Sequence, residues 1–376
     1  MTINISNISL SELELPFRPS EMMPYQEPVF KVQGNQLLVG YLVDDDSSDN
    51  PLECMDGQGN VYSAHRDSAT HSEMQEALGL DSQWGPDLEL VNEHLDRLKK
   101  MWIHAAANSS EFKGYCDETA GAKASFTESY YLYRARKYWA ITDGEYEYGA
   151  DNIDDFVFTA DVQLELWKEL REEGVIGNPD LVLLDCYQHS GIAWSVSGEG
   201  MQCRWDTSSG AGVWVPDDVL KASLDDLEKL YSFGRIYNNG SWTRASGKKR
   251  YYVELDSVYG DEKSEQFMSY DEAFNWLVER SKELKLPKKK SDVEAMRRRG
   301  RRYAALEQAR HAIELYNSWL NGQTYGIVQA TFDIEETSEE PEFSFCDSEE
   351  CWGFYSDDDA MDELRSQMGV LTQAAA

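Results

Sequence analysis

Hydrophobic and polar positions along the chain predict short strands interspersed with helices. Residues 30–43 alternate with the period of two that is typical of strands, around a Gly-Asn turn, and this pattern predicts a hairpin. Apolar residues recur at spacings of three and four through residues 88–102, which indicates an amphipathic helix. Residues 292–320 repeat apolar positions seven apart and precede a glycine, so we expect one long helix there.

The remaining segments give a mixed set of elements. Further strands are predicted at 61–63, 181–187, 192–196, 213–215, 236–237 with 242–243, 251–255 and 325–329. Further helices are predicted at 127–140, 161–173, 216–230, from the capping box 269–272 onward, and at 357–368. Because the two types are not in strict βαβ alternation, we expect an α+β fold of several small antiparallel sheets with packed helices, multi-domain and elongated.

Changes in composition suggest where the chain divides. We expect an extended, proline-containing arm at 1–28, a linker near 142–155, and three α+β domains at 29–145, 146–234 and 235–376. The last of these contains the long helix and an acidic tail region.

Charge is the most unusual property of the sequence. The 376 residues include 35 Lys and Arg against 69 Asp and Glu, a formal net charge of −34. Unspecific binding to nucleic acid or to an anionic membrane is therefore disfavoured by repulsion. The charge is uneven, because residues 280–310 hold twelve basic and four acidic residues whereas residues 331–376 hold fourteen acidic residues and one arginine.

Two interpretations of this charge are open. One is an acidic protein with well-solvated faces. The other is a surface that imitates nucleic acid, since 34 charges equal those on about 58 Å of duplex at one charge per ~1.7 Å. Such a surface fits the basic groove of a DNA-binding protein and requires no chemistry of its own.

Three segments resemble the acidic accessory proteins with which phages and plasmids protect incoming DNA, of which the DNA-mimicking antirestriction proteins are best known. They are Glu335 to Glu350, Cys351-Trp-Gly-Phe-Tyr-Ser-Asp-Asp-Asp359 and Leu315-Tyr-Asn-Ser-Trp-Leu-Asn-Gly-Gln-Thr-Tyr-Gly326, less than a fifth of the chain. The resemblance implies a non-enzymatic inhibitor of a host restriction or nuclease complex, often a homodimer, with no catalytic residue and no cofactor. The basic segment within 280–310 departs from the uniformly acidic pattern of that family.

The expected contacts to such a partner are acidic residues with three aromatic anchors. They are Asp44, Asp45, Asp46, Asp49, Glu335, Glu336, Glu339, Glu340, Glu342, Asp347, Glu349, Glu350, Trp352, Phe354, Tyr355, Asp357, Asp358 and Asp359. The basic block has two alternative roles, a nucleic-acid contact or a clamp on acidic segments of the same chain or of a second copy. Its members are Lys288, Lys289, Lys290, Arg297, Arg298, Arg299, Arg301 and Arg302.

Candidate chemistry is sparse. The tripeptide His65-Arg-Asp67 lacks the glycine-rich loop and the Asp-Phe-Gly motif of a kinase. Cys186, His189 and Cys203 lack a second close ligand pair for zinc, and the loop from Asp44 lacks the glycine and the glutamate of a calcium-binding EF-hand. Cys346 and Cys351 are compatible with half a zinc site or with a disulfide. We expect no metal, and an enzyme built from scattered residues is the remaining alternative.

Location follows from three absences in the sequence. Six cysteines are too few for a disulfide scaffold, the first residues lack a basic and apolar leader, and no run of about 18 apolar residues occurs. These features predict a protein of the host bacterial cytoplasm that does not interact with membranes.

Overall fold

The computed structural model describes most of the chain. It covers residues 8–23, 26–65, 70–94, 97–98, 160–189, 191–238, 250–260, 262–336 and 341–370, together with the backbone of four short strands between 123 and 148.

The described elements mix strands and α-helices along the chain. In order they are β1 Val29–Gln33, β2 Gln36–Asp44, α1 Pro51–Cys54, β3 Asn60–Ser63, α2 His71–Leu78, α3 Leu88–Asn92, β4 Lys123–Ser125, β5 Tyr131–Ala135, β6 Tyr138–Thr142, β7 Glu147–Tyr148, α4 Ala160–Glu172, β8 Val182–Gln188, β9 Ile192–Val196, β10 Thr207–Val215, α5 Asp218–Tyr231, β11 Gly234–Asn238, β12 Tyr251–Leu255, α6 Tyr270–Glu283, α7 Lys290–Leu320, β13 Tyr325–Glu336, β14 Pro341–Phe354 and α8 Asp357–Gln367. The α+β class is confirmed. None of these helices is long and apolar enough to cross a membrane.

The chain forms two compact units. One consists of Met1–Val61 together with Val182–Ala376, and the other of Tyr62–Leu181. These bounds differ from the expected division at 29–145, 146–234 and 235–376. The physical reason is strand pairing, because β2 pairs with β13 over nine residue pairs and so joins the two ends of the chain in one sheet.

The first sheet has the strand order β1-β2-β13-β14, with all three pairings antiparallel. Helix α8 covers one face, where Gly40 of β2 lies against Leu364 and Met368 so closely that a Cβ atom at Gly40 would overlap them. The N-terminal arm packs against the same core, since Leu13 and Met23 belong to its cluster of buried residues. Burial of this apolar cluster is the main contribution to the stability of the sheet.

A second core surrounds the long helix α7. It includes a sheet of order β3-β10-β8-β9, the pair β11-β12 and helices α5 and α6. The buried side of α7 consists mostly of small residues, so that neighbouring elements approach its backbone closely. At Gly300 the approach is to backbone atoms, because a Cβ atom there would lie 2.6 Å from the amide nitrogen of Ser232, directly after α5.

Most of the predicted elements are confirmed. The hairpin of β1 and β2, the capped helices α5 and α6, the long helix α7 and the last helix α8 all occur close to their expected bounds. The predicted helix at 127–140 is wrong, because β5 and β6 occupy that region and aromatic residues are common in strands. The predicted strand at 242–243 and most of the linker at 142–155 lie outside the described residues.

The acidic region after residue 329 is also different from the expectation. The predicted strand at 325–329 continues to Glu336, and a further strand of 14 residues that the sequence did not predict, β14, follows it. The pairing of β13 with β14 runs over almost their whole length and is interrupted by two irregularities.

Candidate interaction surface on the acidic sheet edge

Strand β14 is the exposed edge of the first sheet. It pairs with β13 on one side, and none of its 14 residues is buried. In contrast, β13 buries Val328, Ala330 and Phe332 completely. An edge strand whose side chains are exposed on both faces leaves polar backbone groups and side chains available to another molecule.

The acids of β14 are distributed over both faces of the sheet. Glu349 is opposite Gln329, whose side-chain amide donates to Gln367 of α8 at 2.7 Å, so Glu349 lies on the face that α8 covers. Asp347 lies on the same face two residues away, and Glu350 lies on the opposite face. The acids therefore follow the edge as a line and do not form a stripe on one face.

The charge of Glu350 reaches into the core next to the arm. Glu350 is opposite Val328, which in turn is opposite Tyr41. The pKa of Tyr41 is raised to about 12, mainly by burial. The hydrogen bond with the Phe17 backbone lowers this pKa, and the negative charge of Glu350 contributes to raising it. The Tyr41 hydroxyl donates to the Phe17 carbonyl at 3.2 Å and so fixes the arm to the sheet.

A second acidic group lies at one end of the sheet. The loop after β2 and the start of α8 meet there, because the Tyr355 hydroxyl donates to the carbonyl of Asp49 at 2.7 Å. Burial raises the pKa of Tyr325, and the charges of Asp357 and Asp44 raise it further. Two acidic segments that are about 300 residues apart in the sequence are thus neighbours in the fold.

Several acids in this group have local structural roles. Asp45 is buried and accepts hydrogen bonds from the backbone and the hydroxyl of Ser47 at 3.2 and 3.1 Å. Gln26 donates to Asp357 at 2.8 Å and to Asp358 at 3.0 Å. Asp357, Asp358 and the next aspartate form the first turn of α8, where negative charge stabilises the helix dipole.

The other end of the β13-β14 hairpin holds like charges in register. Glu335 is directly opposite Glu342, and Glu336 is opposite Pro341. Like charges directly opposite each other in a sheet are destabilising, so this end has no intramolecular reason to be acidic. Glu339 and Glu340 lie outside the described residues.

The predicted aromatic anchors differ in their accessibility. Trp352 is 45% exposed and packs edge-to-face on Phe17, with ring centroids 5.8 Å apart. Phe354 is half-buried against the sheet core, and the hydroxyl of Tyr355 is held by the loop after β2. Phe345 is 42% exposed and was missed by the sequence analysis, because only the strand pairing shows that it lies on the edge.

The acids of the edge have no basic partner among the described residues. No described Lys or Arg lies within 4.0 Å of a carboxylate of Glu342, Asp347, Glu349 or Glu350, and the same holds for the predicted acids of the loop after β2 and of the α8 start. Within this part of the chain these carboxylates therefore have no cationic partner, and all of them except the buried Asp45 leave their charge to solvent or to a partner.

The basic block of α7 is paired with acids of its own core. Arg299 binds Asp256 through two hydrogen bonds of 2.9 and 2.8 Å, and the carboxylate of Asp256 is only 2% exposed. Burial raises the pKa of Asp256, but hydrogen bonds from Arg299 and the Val258 amide, with the charges of Arg299 and Arg235, outweigh it and leave the pKa lowered.

Other members of the block make similar contacts. Arg301 binds Asp225 at 2.6 Å and Glu228 at 3.4 Å, and Arg297 lies 4.0 Å from Glu228. Lys289 and Lys290 pair with acids one turn ahead in α7, whereas Lys288 and Arg298 are exposed. Of the two roles left open by the sequence, the intramolecular contact is present for several of these side chains.

The cysteines do not form a cluster with other metal ligands. Within the described residues, no group of three or more His, Cys, Asp or Glu side chains is arranged to hold a metal ion. Cys346 and Cys351 are free thiols on the single extended strand β14, about 17 Å apart at ~3.4 Å per residue, so they cannot pair within one chain. Cys186 is buried, and burial raises the pKa of its thiol.

One cleft of about 420 Å³ lies between β9 and the second half of α7. Several of its polar groups are engaged in hydrogen bonds and ion pairs of this chain. Arg310 binds Glu199 at 2.8 and 2.6 Å and also pairs with Glu307, and the side-chain amide of Asn317 is bonded to the backbone of Trp194. A substrate in this cleft would have to displace those contacts.

The size of the acidic surface is comparable with a DNA-binding contact. Ten of the predicted acids with described side chains are exposed: Asp44, Asp46, Asp49, Glu335, Glu342, Asp347, Glu349, Glu350, Asp358 and Asp359. Strand β14 spans about 48 Å at ~3.4 Å per residue, a length over which duplex DNA carries about 28 charges. The surface is thus far less charged than duplex, but it equals the ~6–10 phosphates that a DNA-binding protein contacts. Comparisons with protein-family models, with curated proteins and with solved structures give no match for this chain.

Proposed function

We propose that this chain is a non-enzymatic inhibitor that a phage or plasmid uses against a DNA-handling complex of its bacterial host. Its acidic edge occupies the basic groove in which that complex binds phosphates. The observation that supports this function is the partition of charge, because the exposed acids of β14 have no basic partner among the described residues whereas several arginines of α7 have acidic partners.

The physical mechanism is electrostatic competition. Carboxylates along an exposed edge raise the rate of association with a basic groove, and the effect weakens as salt screens it. The inhibitor does not have to match the charge density of duplex. It has to neutralise those side chains of the enzyme that would otherwise contact phosphates.

Direct binding of nucleic acid through the basic block is less well supported. Arg299 and Arg301 would each have to leave a carboxylate of this chain before binding a phosphate, and the buried carboxylate of Asp256 would then keep only Arg235, at 3.4 Å, and the Val258 amide as partners. Weakening a buried ion pair in this way costs free energy that the phosphate contact would have to offset.

The test is inhibition of DNA cleavage by a panel of restriction complexes and a host helicase–nuclease. The variant Asp347→Asn/Glu349→Gln/Glu350→Gln removes three charges from the edge. A matched control, Glu265→Gln/Asp271→Asn/Glu314→Gln, removes three exposed charges from the other core.

We expect the unmodified chain to inhibit at least one enzyme, and inhibition to weaken as salt rises from about 50 to 200 mM. The edge variant should inhibit about tenfold less well, at ~0.5 kcal/mol for each lost charge, and the control should equal the unmodified chain. Equal inhibition by the edge variant and the control, or no inhibition of any enzyme in the panel, contradicts the proposal.

A further inference from the structure

Two edge strands, β9 and β14, differ in whether other parts of the chain bind their outward backbone groups. The edge strand β9 is closed by α7, because the amide of Asn317 accepts from the Trp194 N–H and donates to its carbonyl, both at 2.8 Å. One turn later, Asn321 donates to the carbonyl of Ile192 at 3.0 Å. These side chains satisfy the backbone groups to which a further strand would bind.

The outward backbone groups of β14 can be identified from the pairing. The N–H of Ile334 donates to Asn35 at 3.0 Å, and the Ile334 carbonyl accepts from the Asn35 side chain at 2.9 Å, so both groups face β2. Successive residues of an antiparallel strand face alternate sides, so Asp333 faces β14 and is bonded to Ser344. Phe343 lies between the bonded residues Glu342 and Ser344, so its backbone N–H and C=O groups face away from β13.

The same alternation continues beyond the extra residue Cys346. Asp347 and Glu349 face β13, so Ser348 and Glu350 direct their N–H and C=O groups outward. The Ser348 amide agrees with this assignment, because it donates to the carboxylate of the preceding Asp347 at 2.9 Å. A carbonyl of a partner strand would accept the hydrogen bond from the Ser348 N–H in place of Asp347, and the Asp347 carboxylate would then be free to bind a cation.

The acids of β14 favour pairing with a basic strand over pairing with a second copy of this chain. A second copy of the chain would bring the acids of one β14 against those of another, and like charges opposite each other are unfavourable. An extended segment with Lys or Arg at alternate positions would pair with Asp347 and Glu349, which lie on one face, two residues apart. Main-chain bonds then provide affinity, and the alternate side chains provide specificity.

We infer that β14 accepts an extended basic segment of the partner protein as a fifth strand of the first sheet. The inference rests on the proposed function and specifies its mode of contact. Phe345 and Trp352 are half-exposed on the other face of this strand from Asp347 and Glu349, where they offer apolar contact to the remaining side chains of an added strand.

The experiment separates backbone pairing from attraction of charge. The probe is a fluorescent peptide of about nine residues that alternates Thr and Lys, long enough to span Glu342 to Glu350 at ~3.4 Å per residue. Ser348→Pro removes an outward N–H while every acid stays, and proline is tolerated where a strand N–H faces solvent. Ser348→Ala is the matched control, since it loses the same hydroxyl and retains the amide.

We expect anisotropy titrations to give equal affinities for the unmodified chain and Ser348→Ala, and about tenfold weaker binding for Ser348→Pro. Two further probes carry N-methyl groups on the odd or on the even peptide nitrogens. With the unmodified chain, one should lose binding and the other retain it, so the test does not depend on the folding of the proline variant.

Several results would overturn the inference. They are no binding of the unmodified peptide, equal binding by Ser348→Pro and Ser348→Ala, equal binding of the two methylated peptides, and dimerisation through β14 that Ser348→Pro abolishes. If the proline variant still inhibits DNA cleavage while the triple acid variant does not, the edge pairing fails and the proposed function stands. If the triple acid variant inhibits fully, the proposed function itself fails.

Discussion

The contact between α7 and the end of α5 predicts an unusual effect of Gly300→Ala. In the interior of a helix this change normally stabilises a protein by about 1 kcal/mol, because alanine restricts the unfolded chain and favours the helix. Here the new methyl group would lie 2.6 Å from the amide nitrogen of Ser232 and 2.7 Å from the carbonyl oxygen of Glu228. Both neighbours are backbone atoms that hydrogen-bond to each other, so neither can rotate away.

The magnitude follows from two opposing contributions. Overpacking of a tight contact costs about 1–3 kcal/mol, and the shift of α7 would also stretch the ion pairs of Arg301 with Asp225 and Glu228. After subtraction of the gain of about 1 kcal/mol in helix propensity, we expect Gly300→Ala to destabilise the protein by up to about 2 kcal/mol. For a unit of this size each kcal/mol lowers the melting temperature by about 2–4 °C.

The control is a pair of variants at the neighbouring exposed position, Arg298→Ala and Arg298→Gly. Their difference measures helix propensity alone at this point of α7, and we expect the alanine variant to be more stable by about 1 kcal/mol. Melting temperatures of all three variants are compared with that of the unmodified chain. If Gly300→Ala raises the melting temperature as Arg298→Ala does relative to Arg298→Gly, the close approach of α5 and α7 is refuted.

Three further predictions concern the core around α7. Asn317→Ala removes both bonds to Trp194 and should cost about 2 kcal/mol in urea unfolding, with faster hydrogen exchange at the Trp194 amide as the local readout. Asp256→Asn weakens the pair with Arg299 and should cost about 1–2 kcal/mol near pH 7, less than the ~3–5 kcal/mol for breaking a fully buried pair, because Arg299 is 40% exposed. Hydrogen bonds and charge lower the folded-state pKa of Asp256. Its contribution to the free energy of unfolding is therefore present above its ordinary pKa of 3.8 and is lost as pH falls through the lowered value. The asparagine variant should not show this loss of stability at low pH. Burial raises the pKa of Glu307. Its contribution to the free energy of unfolding is therefore largest below the ordinary pKa of 4.5 and declines as pH rises through the raised value. Glu307→Gln should remove that decline from a plot of stability against pH.

Elements with a strong local pattern were predictable from the sequence. The hairpin of β1 and β2 combines alternation with a turn, and α6 begins at a capping box whose Ser269 hydroxyl accepts from the Glu272 amide as expected. In α7 the apolar stripe and the following glycine mark the helix and its end. In each of these cases, the residues that predict the element from the sequence are the same residues that form it.

Strand β14 was not predictable in the same way. Its exposed residues show no alternation of buried and exposed positions, because both faces of the edge are accessible. Its length is set by pairing with β13, and that pairing is a property of the folded sheet. An acidic, serine-containing segment is typical of a loop when it is considered alone.

The candidate site was predictable by residue type but not by arrangement. A surplus of acids at 44–49 and at 333–359 is visible in the sequence, yet their meeting at the Tyr355 contact depends on the register of β2 against β13. The partners of the arginines in α7 were likewise hidden, since Asp225 and Asp256 are ordinary acids in an acidic chain.

The acids of β14 also suit a simpler role, because charges on an edge strand discourage aggregation. That role accounts for a few charges on the edge itself. It does not account for Asp46 and Asp49, which lie in the loop after β2, for Asp44, the last residue of the inner strand β2, or for the like charges of Glu335 and Glu342 held in register. Protection of an edge also requires no cationic partner. Among the described residues, the paired arginines of α7 bind acids of the other core, and no Lys or Arg forms an ion pair with the acids of β14. We therefore favour the proposed basic partner outside the chain, to which these acids would be complementary.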